Sequence, residues 1–359
     1  MTGTLAPIRV LVVDDSTTVR KLLVTILEGD PEITVIGEAA NGAEAVEKAA
    51  ELRPDLITMD VVMPVMDGLE ATKEIMISTP TPILIVSATG NRGTVELSLD
   101  ATQAGALMVL SKPQSPQSER FQEKSEQLKA MVKAMSQVKV VRHRGARGMT
   151  GARPPRAPGA RGGGGSERRL VAIGASTGGP AALRRILMDL PGDFGAPILV
   201  VQHMAKGFMD GLSSWLNAGC SLHVKVAESG ESLGPHVVYL APDNRHLGVG
   251  NGGERDGRVV LSDAPPIGGF RPSATHLFES VARACGENAI GLILTGMGSD
   301  GVAGLAALWG AGGKVIAQDE ATSVVFGMAQ EAVRAGVVDA VLALDAIAPR
   351  LVDLVGYPA

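Results

Sequence analysis

Leu170-Val-Ala-Ile-Gly-Ala-Ser-Thr-Gly-Gly-Pro180 is the stretch on which the reading of this chain turns. It opens with an apolar run of strand length, Leu170 to Ile173. A glycine-rich turn around Ser176 follows, and then apolar residues at helical spacing, Ala182, Leu183, Ile186 and Leu187. That pattern is strand, tight turn, helix. A residue in such a turn sits at the C-terminal edge of a parallel sheet, where α/β proteins place their chemistry. Gly174-x-Ser176-x-Gly178 also spells a nucleophile elbow in the strand–turn–helix context that such an elbow needs. A glycine-rich anion loop, whose backbone N–H groups hold a phosphate at a helix N-terminus, has the same appearance. The stretch by itself supports both readings equally, and the rest of the chain has to decide.

At 359 residues, two domains are expected. A hydrophobic content of 45% with 20% charged residues belongs to globular α/β material. The only cysteines are Cys220 and Cys285, which offer neither a disulfide framework nor metal-ligand spacing and suit a reducing compartment. Met1 to Arg9 has no signal-peptide pattern, and no apolar run approaches the roughly 18 residues of a membrane span. A cytoplasmic protein without membrane insertion is expected. The net charge of −5 gives no electrostatic case for nucleic acid.

The first half alternates strands and helices. Apolar runs at Ile8–Val13, Ile33–Ile36, Leu56–Met59, Ile83–Val86 and Leu107–Leu110 read as strands. Between them helices are expected up to about Glu28 after an N-cap at Ser16, near Ala43–Leu52, near Gly68–Ile77 and near Gly93–Ala104. A last helix is expected after Ser115, with Pro116 at its first position. The repeat predicts a doubly wound, five-stranded parallel sheet of flavodoxin type. Asp14 and Asp15 end the first strand and Asp60 the third. Ser87 follows the fourth, and Lys112-Pro113 the fifth. Strand ends converge on one edge, so these groups should share a pocket. Clustered carboxylates repel unless a cation joins them, and hard oxygen ligands suit Mg²⁺.

These residues, with Met59-Asp60, Met63-Pro64-Val65-Met66-Asp67-Gly68, Ser87-Ala88 and Ser111-Lys112-Pro113, resemble the receiver domain of bacterial response regulators over residues 7–135. The resemblance implies that a histidine kinase phosphorylates Asp60. It also implies that Asp14, Asp15, Asp60 and the backbone carbonyl of Val62 hold Mg²⁺, that Lys112 pairs with the phosphoryl group, and that Ser87 hydrogen-bonds it after switching. A phosphoryl group adds roughly −1.5 to −2 charges and three strong acceptors, enough to recruit both. One position departs from the pattern. Receivers usually carry an aromatic switch residue three positions before the lysine, where this chain has Val109.

Residues 136–167 are rich in arginine, glycine and proline and end near Gly162-Gly-Gly-Gly165, with no apolar periodicity. A flexible linker is expected, with a typical end-to-end distance of roughly 30 Å. No aromatics interleave its arginines, so it reads as solvated rather than as a nucleic-acid contact.

The second domain, 168–359, is expected to be a Rossmann-like α/β domain with a β-rich insertion. Ala196–Val201 reads as a buried strand ending in Gln202-His203-Met204, followed by a helix near Gly207–Leu216. Leu222 to Leu261 alternates in strand fashion between glycine turns and reads as a β-rich excursion. A helix at Ser273–Ala284, a strand at Ala289–Leu294, a helix at Val302–Trp309 and a short strand at Val315–Ala317 follow. Three strands of this domain thus lead to Ser176, His203 and Asp300. Serine is a poor nucleophile without a base within about 3 Å and a carboxylate to orient that base. Of the other histidines, His143 is in the linker, His223 and His236 lie in the β-rich excursion, and His276 is on a helix. His246 is the one rival placed at a loop. Amides near Thr177 and Met297 are candidates for an oxyanion hole. The order Ser…His…Asp differs from that of α/β-hydrolases, so a triad here would be convergent. A P-loop fails, since Gly312-Gly313-Lys314 is followed by Val315. A dinucleotide loop fails too, for Gly174–Gly179 lacks the G-x-G-x-x-G spacing and a ribose carboxylate.

The second half resembles the catalytic domain of the chemotaxis protein-glutamate methylesterases, the CheB family. The match runs through Ile173–Pro180, Gln202-His-Met204, Ala241-Pro-Asp-Asn-Arg-His-Leu247, Arg271-Pro-Ser273, Leu294–Gly301 and Ala317–Met328. Ala329 stands where the family often has proline. The resemblance implies a catalytic triad of Ser176, His203 and Asp300 and no cofactor in this domain. The implied reaction is hydrolysis of methyl-glutamate esters on methyl-accepting chemoreceptors, usually with deamidation of receptor glutamines. The alternative is a response regulator whose output domain only binds a partner or nucleic acid. It would need a helix-turn-helix with a basic face, or would leave three chemical residues at strand ends without a use.

Overall fold

The computed structural model describes residues 6–87, 92–113, 117, 121–136, 138, 170–250 and 257–356. The expected linker falls outside the described residues, apart from residues 136 and 138.

In the first half the elements are β1 (Ile8–Val13), α1 (Thr17–Glu28), β2 (Ile33–Ala39), α2 (Gly42–Leu52), β3 (Leu56–Met59), α3 (Gly68–Ser78), β4 (Ile83–Ser87), α4 (Arg92–Gln103), β5 (Met108–Ser111) and α5 (Phe121–Met135). The five strands are all parallel in the order β2-β1-β3-β4-β5. β3 and β4 are buried along their whole length, as strands covered by helices on both faces must be. Ser16, Asn41 and Asp67 cap α1, α2 and α3, each side-chain oxygen accepting from a backbone N–H of the first turn. The expected start of the last helix at Pro116 lies outside the described residues. The helix α5 is described over Phe121–Met135.

In the second half the elements are β6 (Leu170–Ala175), α6 (Gly179–Asp189), β7 (Ile198–Gln202), α7 (Met209–Gly219), β8 (His223–Val226), β9 (Val237–Leu240), β10 (His246–Val249), β11 (Val259–Ser262), α8 (Ala274–Cys285), β12 (Ala289–Ile293), α9 (Val302–Gly310), β13 (Lys314–Gln318), α10 (Met328–Arg334), β14 (Ala340–Leu342) and α11 (Leu344–Val355). Seven of the strands form one sheet, β14-β13-β12-β6-β7-β9-β8, and every pairing in it is parallel. The chain starts at β6, builds outward through β7, then returns to add β12 on the other side of β6. The switch of direction falls between β6 and β12, where open α/β sheets bind their ligands.

The stretch Leu222–Leu261 corrects the expected excursion in extent. β8 and β9 belong to the main sheet, and among the described residues β10 and β11 form a separate antiparallel pair. Alternation along a strand reports a half-covered face, and an edge pair of a parallel sheet has one as much as a separate ribbon does. His246 is likewise not on a loop. It opens β10 and is fully buried.

The two halves pack against each other. A single apolar cluster runs from Val95 and Leu99 on α4 to Phe208, Leu212 and Trp215 in and before α7. Gly211 lacks the Cβ that would collide with Val95. The Trp215 indole N–H donates to Asp100 Oδ1 at 2.7 Å, and the Arg184 guanidinium lies over the same ring at 4.2 Å. The Gly178 amide, two residues beyond Ser176, donates to the Leu107 carbonyl at 3.2 Å.

Candidate active site

Three neighbouring strands, β12, β6 and β7, deliver Asp300, Ser176 and His203 to one edge. Ser176 follows β6 directly, and its amide donates to the Thr295 carbonyl at 3.0 Å. Gly178 then turns the chain into α6 with φ at 77°, a conformation in which a side chain is strained. Gly296 passes so close that an added Cβ would lie 2.7 Å from Ser176 Cβ. The glycines on both sides of the serine therefore answer to backbone geometry, one to a left-handed turn and the other to close approach.

His203 is held from its backbone and its ring. Its amide donates to the Ala175 carbonyl at 2.9 Å, and the Gln202 side-chain amide donates to both the Ser176 and the His203 carbonyls at 2.8 Å. Gln202 thus ties the serine turn to the histidine turn. The ring of Phe270 stacks flat on the imidazole at 4.1 Å. His203 Nε2 lies 2.9 Å from Asp300 Oδ2. A carboxylate only accepts, so the proton is on Nε2, and Nδ1 keeps a lone pair with no partner. Ser176 and His203 line the same cavity of about 310 Å³.

Asp300 is 8% exposed. Burial pushes its carboxyl up, but hydrogen bonds from His203, Ser273 and the Ala274 amide outweigh that and hold it at about 2. Among the described residues, the amides of Thr177 and Met297 donate to nothing. The Thr177 carbonyl is fixed by the Thr295 hydroxyl at 2.8 Å. His246 stacks on His276 and faces Ser273, so it stands behind the aspartate rather than beside the serine.

The other edge gathers the residues expected there. The carboxylates of Asp14, Asp15 and Asp60 offer oxygens within 4.8 Å of one another. Lys112 Nζ lies 2.7 Å from both Asp14 Oδ2 and Asp60 Oδ2. Burial would lower the Lys112 ammonium, but the two carboxylates hold it above the ordinary lysine value. Burial raises the Asp60 carboxyl, with the charge of Asp14 adding to it, against Lys112. Ser87 Oγ is buried without a hydrogen-bond partner. The oxygen-only donor set fits a hard divalent cation, and the lysine supplies the positive charge that such a pocket requires. Val62, in the loop after Asp60, is more than half exposed. Val109 is buried in β5 and lines the cavity in front of Ser176, together with Leu107 and Leu110.

The family model described as CheB methylesterase matches residues 171–351, and that of the response regulator receiver domain matches 10–120. A protein-glutamate methylesterase/protein-glutamine glutaminase of Myxococcus xanthus is 51% identical over 96% of this chain and 96% of its own length. A protein of the same name from Anaeromyxobacter dehalogenans is 52% identical over 96% of this chain and 98% of its own. The chain belongs to the CheB methylesterase family. Among solved structures, the Thermotoga maritima CheB methylesterase catalytic domain superposes with a TM-score of 0.50 at 40% identity, covering 52% of this chain and 99% of that one. The first half is accordingly the receiver and the second the methylesterase domain.

Residue-by-residue reading did not single out Ser273, Phe270 or Gln202 as parts of the site. The signals were present. Ser273, read as the first residue of a helix, is a serine at a helix start, where the structure makes it the N-cap of α8. Gly268-Gly269, both at positive φ, make the tight turn between the bridged residues Ile267 and Phe270. Neither signal says which site the residue faces.

Proposed function

We propose that this chain is a phosphorylation-controlled serine hydrolase that removes methyl esters from glutamate side chains of chemoreceptors and deamidates receptor glutamines. The observation that carries the reading is the buried His203–Asp300 pair, with a lone pair left on Nδ1 and Ser176 in the same cavity. Ser176 Oγ attacks the ester carbonyl as His203 takes its proton. The amides of Thr177 and Met297 receive the oxyanion, each such donor being worth about 2.7–4 kcal/mol in the transition state. Methanol leaves with the proton from His203, or ammonia when the substrate is a glutamine. Water, deprotonated by His203, then attacks the glutamyl–Ser176 ester and frees the glutamate. Asp300 stays ionised throughout and stabilises the imidazolium. The catalytic domain needs no cofactor for these steps.

The receiver, 7–135, and the catalytic domain, 168–359, are joined by the linker 136–167. A chemotaxis histidine kinase is the phosphodonor. Asp14, Asp15, Asp60 and the Val62 carbonyl would hold Mg²⁺, which would neutralise charge as Asp60 accepts the phosphoryl group. Lys112 then pairs with the phosphoryl group, and Ser87 turns its unpartnered hydroxyl toward it. Occlusion by the receiver is supported by Leu107 just before β5, Leu110 on β5 and Met131 on α5, which line the cavity in front of Ser176. A methyl-glutamate on a receptor helix is too bulky to pass that wall. Phosphorylation shifts the population toward an undocked receiver. The protein acts in the cytoplasm on the cytoplasmic part of its receptors. No helix among the described residues is long and apolar enough to cross a membrane.

The test is methanol release from a methylated receptor fragment, with and without acetyl phosphate. The expected result is slow release that the phosphodonor accelerates. Absence of release under both conditions would leave a non-catalytic output domain as the better reading.

A further inference from the structure

Four hydrogen bonds converge on the Asp300 carboxylate. Oδ2 accepts from His203 Nε2 at 2.9 Å and from the Ala274 amide at 2.7 Å. Oδ1 accepts from the Ser273 hydroxyl at 2.7 Å and from the Thr275 amide at 3.1 Å. The two amides are the opening N–H groups of α8 and would be present whatever the side chains. Among the described residues, Ser273 is the only side chain besides His203 that donates to this carboxylate, and without it Oδ1 would keep only the longer of its two bonds.

The hydroxyl is directed. Ser273 Oγ also accepts from the His276 amide at 3.4 Å as the N-cap of α8, which leaves its own hydrogen for Asp300. Its backbone is directed too. The Ser273 amide donates to His246 Nδ1 at 3.2 Å, so that nitrogen carries no hydrogen. His246 Nε2 therefore carries it and donates to the Pro265 carbonyl at 3.2 Å. Ser273 and His246 are both fully buried, and neither lines the cavity in front of Ser176. A line of bonds thus runs from the Pro265 carbonyl through His246, Ser273 and Asp300 to His203.

We propose that Ser273 is a positioning residue of the hydrolase, aiming Asp300 Oδ2 at His203 by holding Oδ1, with His246 locking the serine in place. The inference rests on the Ser176–His203–Asp300 reading of the site. Ser273→Gly and Ser273→Ala separate its two roles. Both lack the hydroxyl, but glycine caps a helix nearly as well as serine and alanine does not. In the full chain with saturating acetyl phosphate and a methylated receptor fragment, both variants should lose kcat about 10- to 100-fold, the size of one hydrogen bond to a charged group. KM should stay within about twofold, because Ser273 is absent from the cavity wall. Only the alanine variant should melt distinctly lower. In an Asp300→Ala background, Ser273→Gly should cost no further activity, since the group it acts through is gone.

A Ser273→Gly enzyme at the parent rate, with Asp300→Ala inactive, overturns the inference and leaves the triad standing. A kcat loss that follows melting temperature, or one that recurs undiminished in the Asp300→Ala background, makes Ser273 a structural cap and overturns it as well. An Asp300→Ala enzyme at the parent rate removes the triad and the inference together.

Discussion

Asp60 and Asp300 are buried to nearly the same degree, at 6% and 8% exposure, yet their carboxyls move in opposite directions. Asp300 has four donors to itself and is held at about 2. Asp60 accepts from the Val61 amide and from one lysine that it must share with Asp14, so burial wins and the carboxyl rises. Both residues stand at the C-terminal edge of a parallel sheet, so position in the fold does not set their chemistry. The ratio of donors to carboxylates does. A fully satisfied carboxylate is a fixed charge, suited to hold an imidazolium. An under-satisfied one is suited to accept a cation and a phosphoryl group.

The largest expected effect falls on the catalytic side. Ser176→Ala removes only a hydroxyl and should lower hydrolysis by at least about a thousandfold with the fold intact, as read by methanol release and circular dichroism. Hydrolysis near the parent rate would detach Asp300 and His203 from any nucleophile at Ser176.

On the receiver side, Asp60→Asn should spare basal hydrolysis and abolish stimulation by acetyl phosphate. Such couplings typically reach about 5- to 150-fold. Persistent stimulation would place the phosphoacceptor elsewhere and remove the functional half of the comparison.

The two carboxyls should also differ in the sign of their effect on stability. A carboxyl lowered from 3.8 to about 2 stabilises the folded state above pH 4, and that contribution is lost as pH falls toward 2. For Asp300 it is worth about 2 kcal/mol. The stability gap between the parent and Asp300→Asn should therefore shrink over that window, as read by denaturant unfolding. A raised carboxyl acts the other way, favouring the folded state at low pH and opposing it once ionised. Asp60→Asn should therefore raise the melting temperature at pH 7. A drop in that variant would mean that Lys112 satisfies Asp60 more completely than its shared bonds imply.

The smallest effect is expected at the seam between the halves. Asp100→Ala deletes the acceptor of the Trp215 indole N–H, a hydrogen bond of about 1 kcal/mol. Basal hydrolysis should rise about two- to fivefold, with the rate under acetyl phosphate unchanged. If basal hydrolysis stays at the parent level, this contact does not hold the receiver over Ser176.

Much of this was legible in the chain alone. Buried parallel strands read as continuous apolar runs, so nearly all of the first sheet and the spine of the second, β6, β7 and β12, are visible without coordinates. The residues at their C-terminal ends, Asp14, Asp60, Lys112, Ser176 and His203, follow because strand direction in a parallel sheet sends every such end to one edge. Strand periodicity does not name a partner strand, however. Only tertiary pairing placed β8 and β9 in the main sheet and put His246 inside β10 rather than on a loop. The same limit hid Ser273. The sequence places it only at the start of its own helix. Its bond to Asp300, 27 residues away, exists because α8 packs with its first turn against the loop after β12. Local chemistry is written in neighbours along the chain. The charge state of a buried carboxyl is decided by donors that only folding brings within hydrogen-bond reach of it.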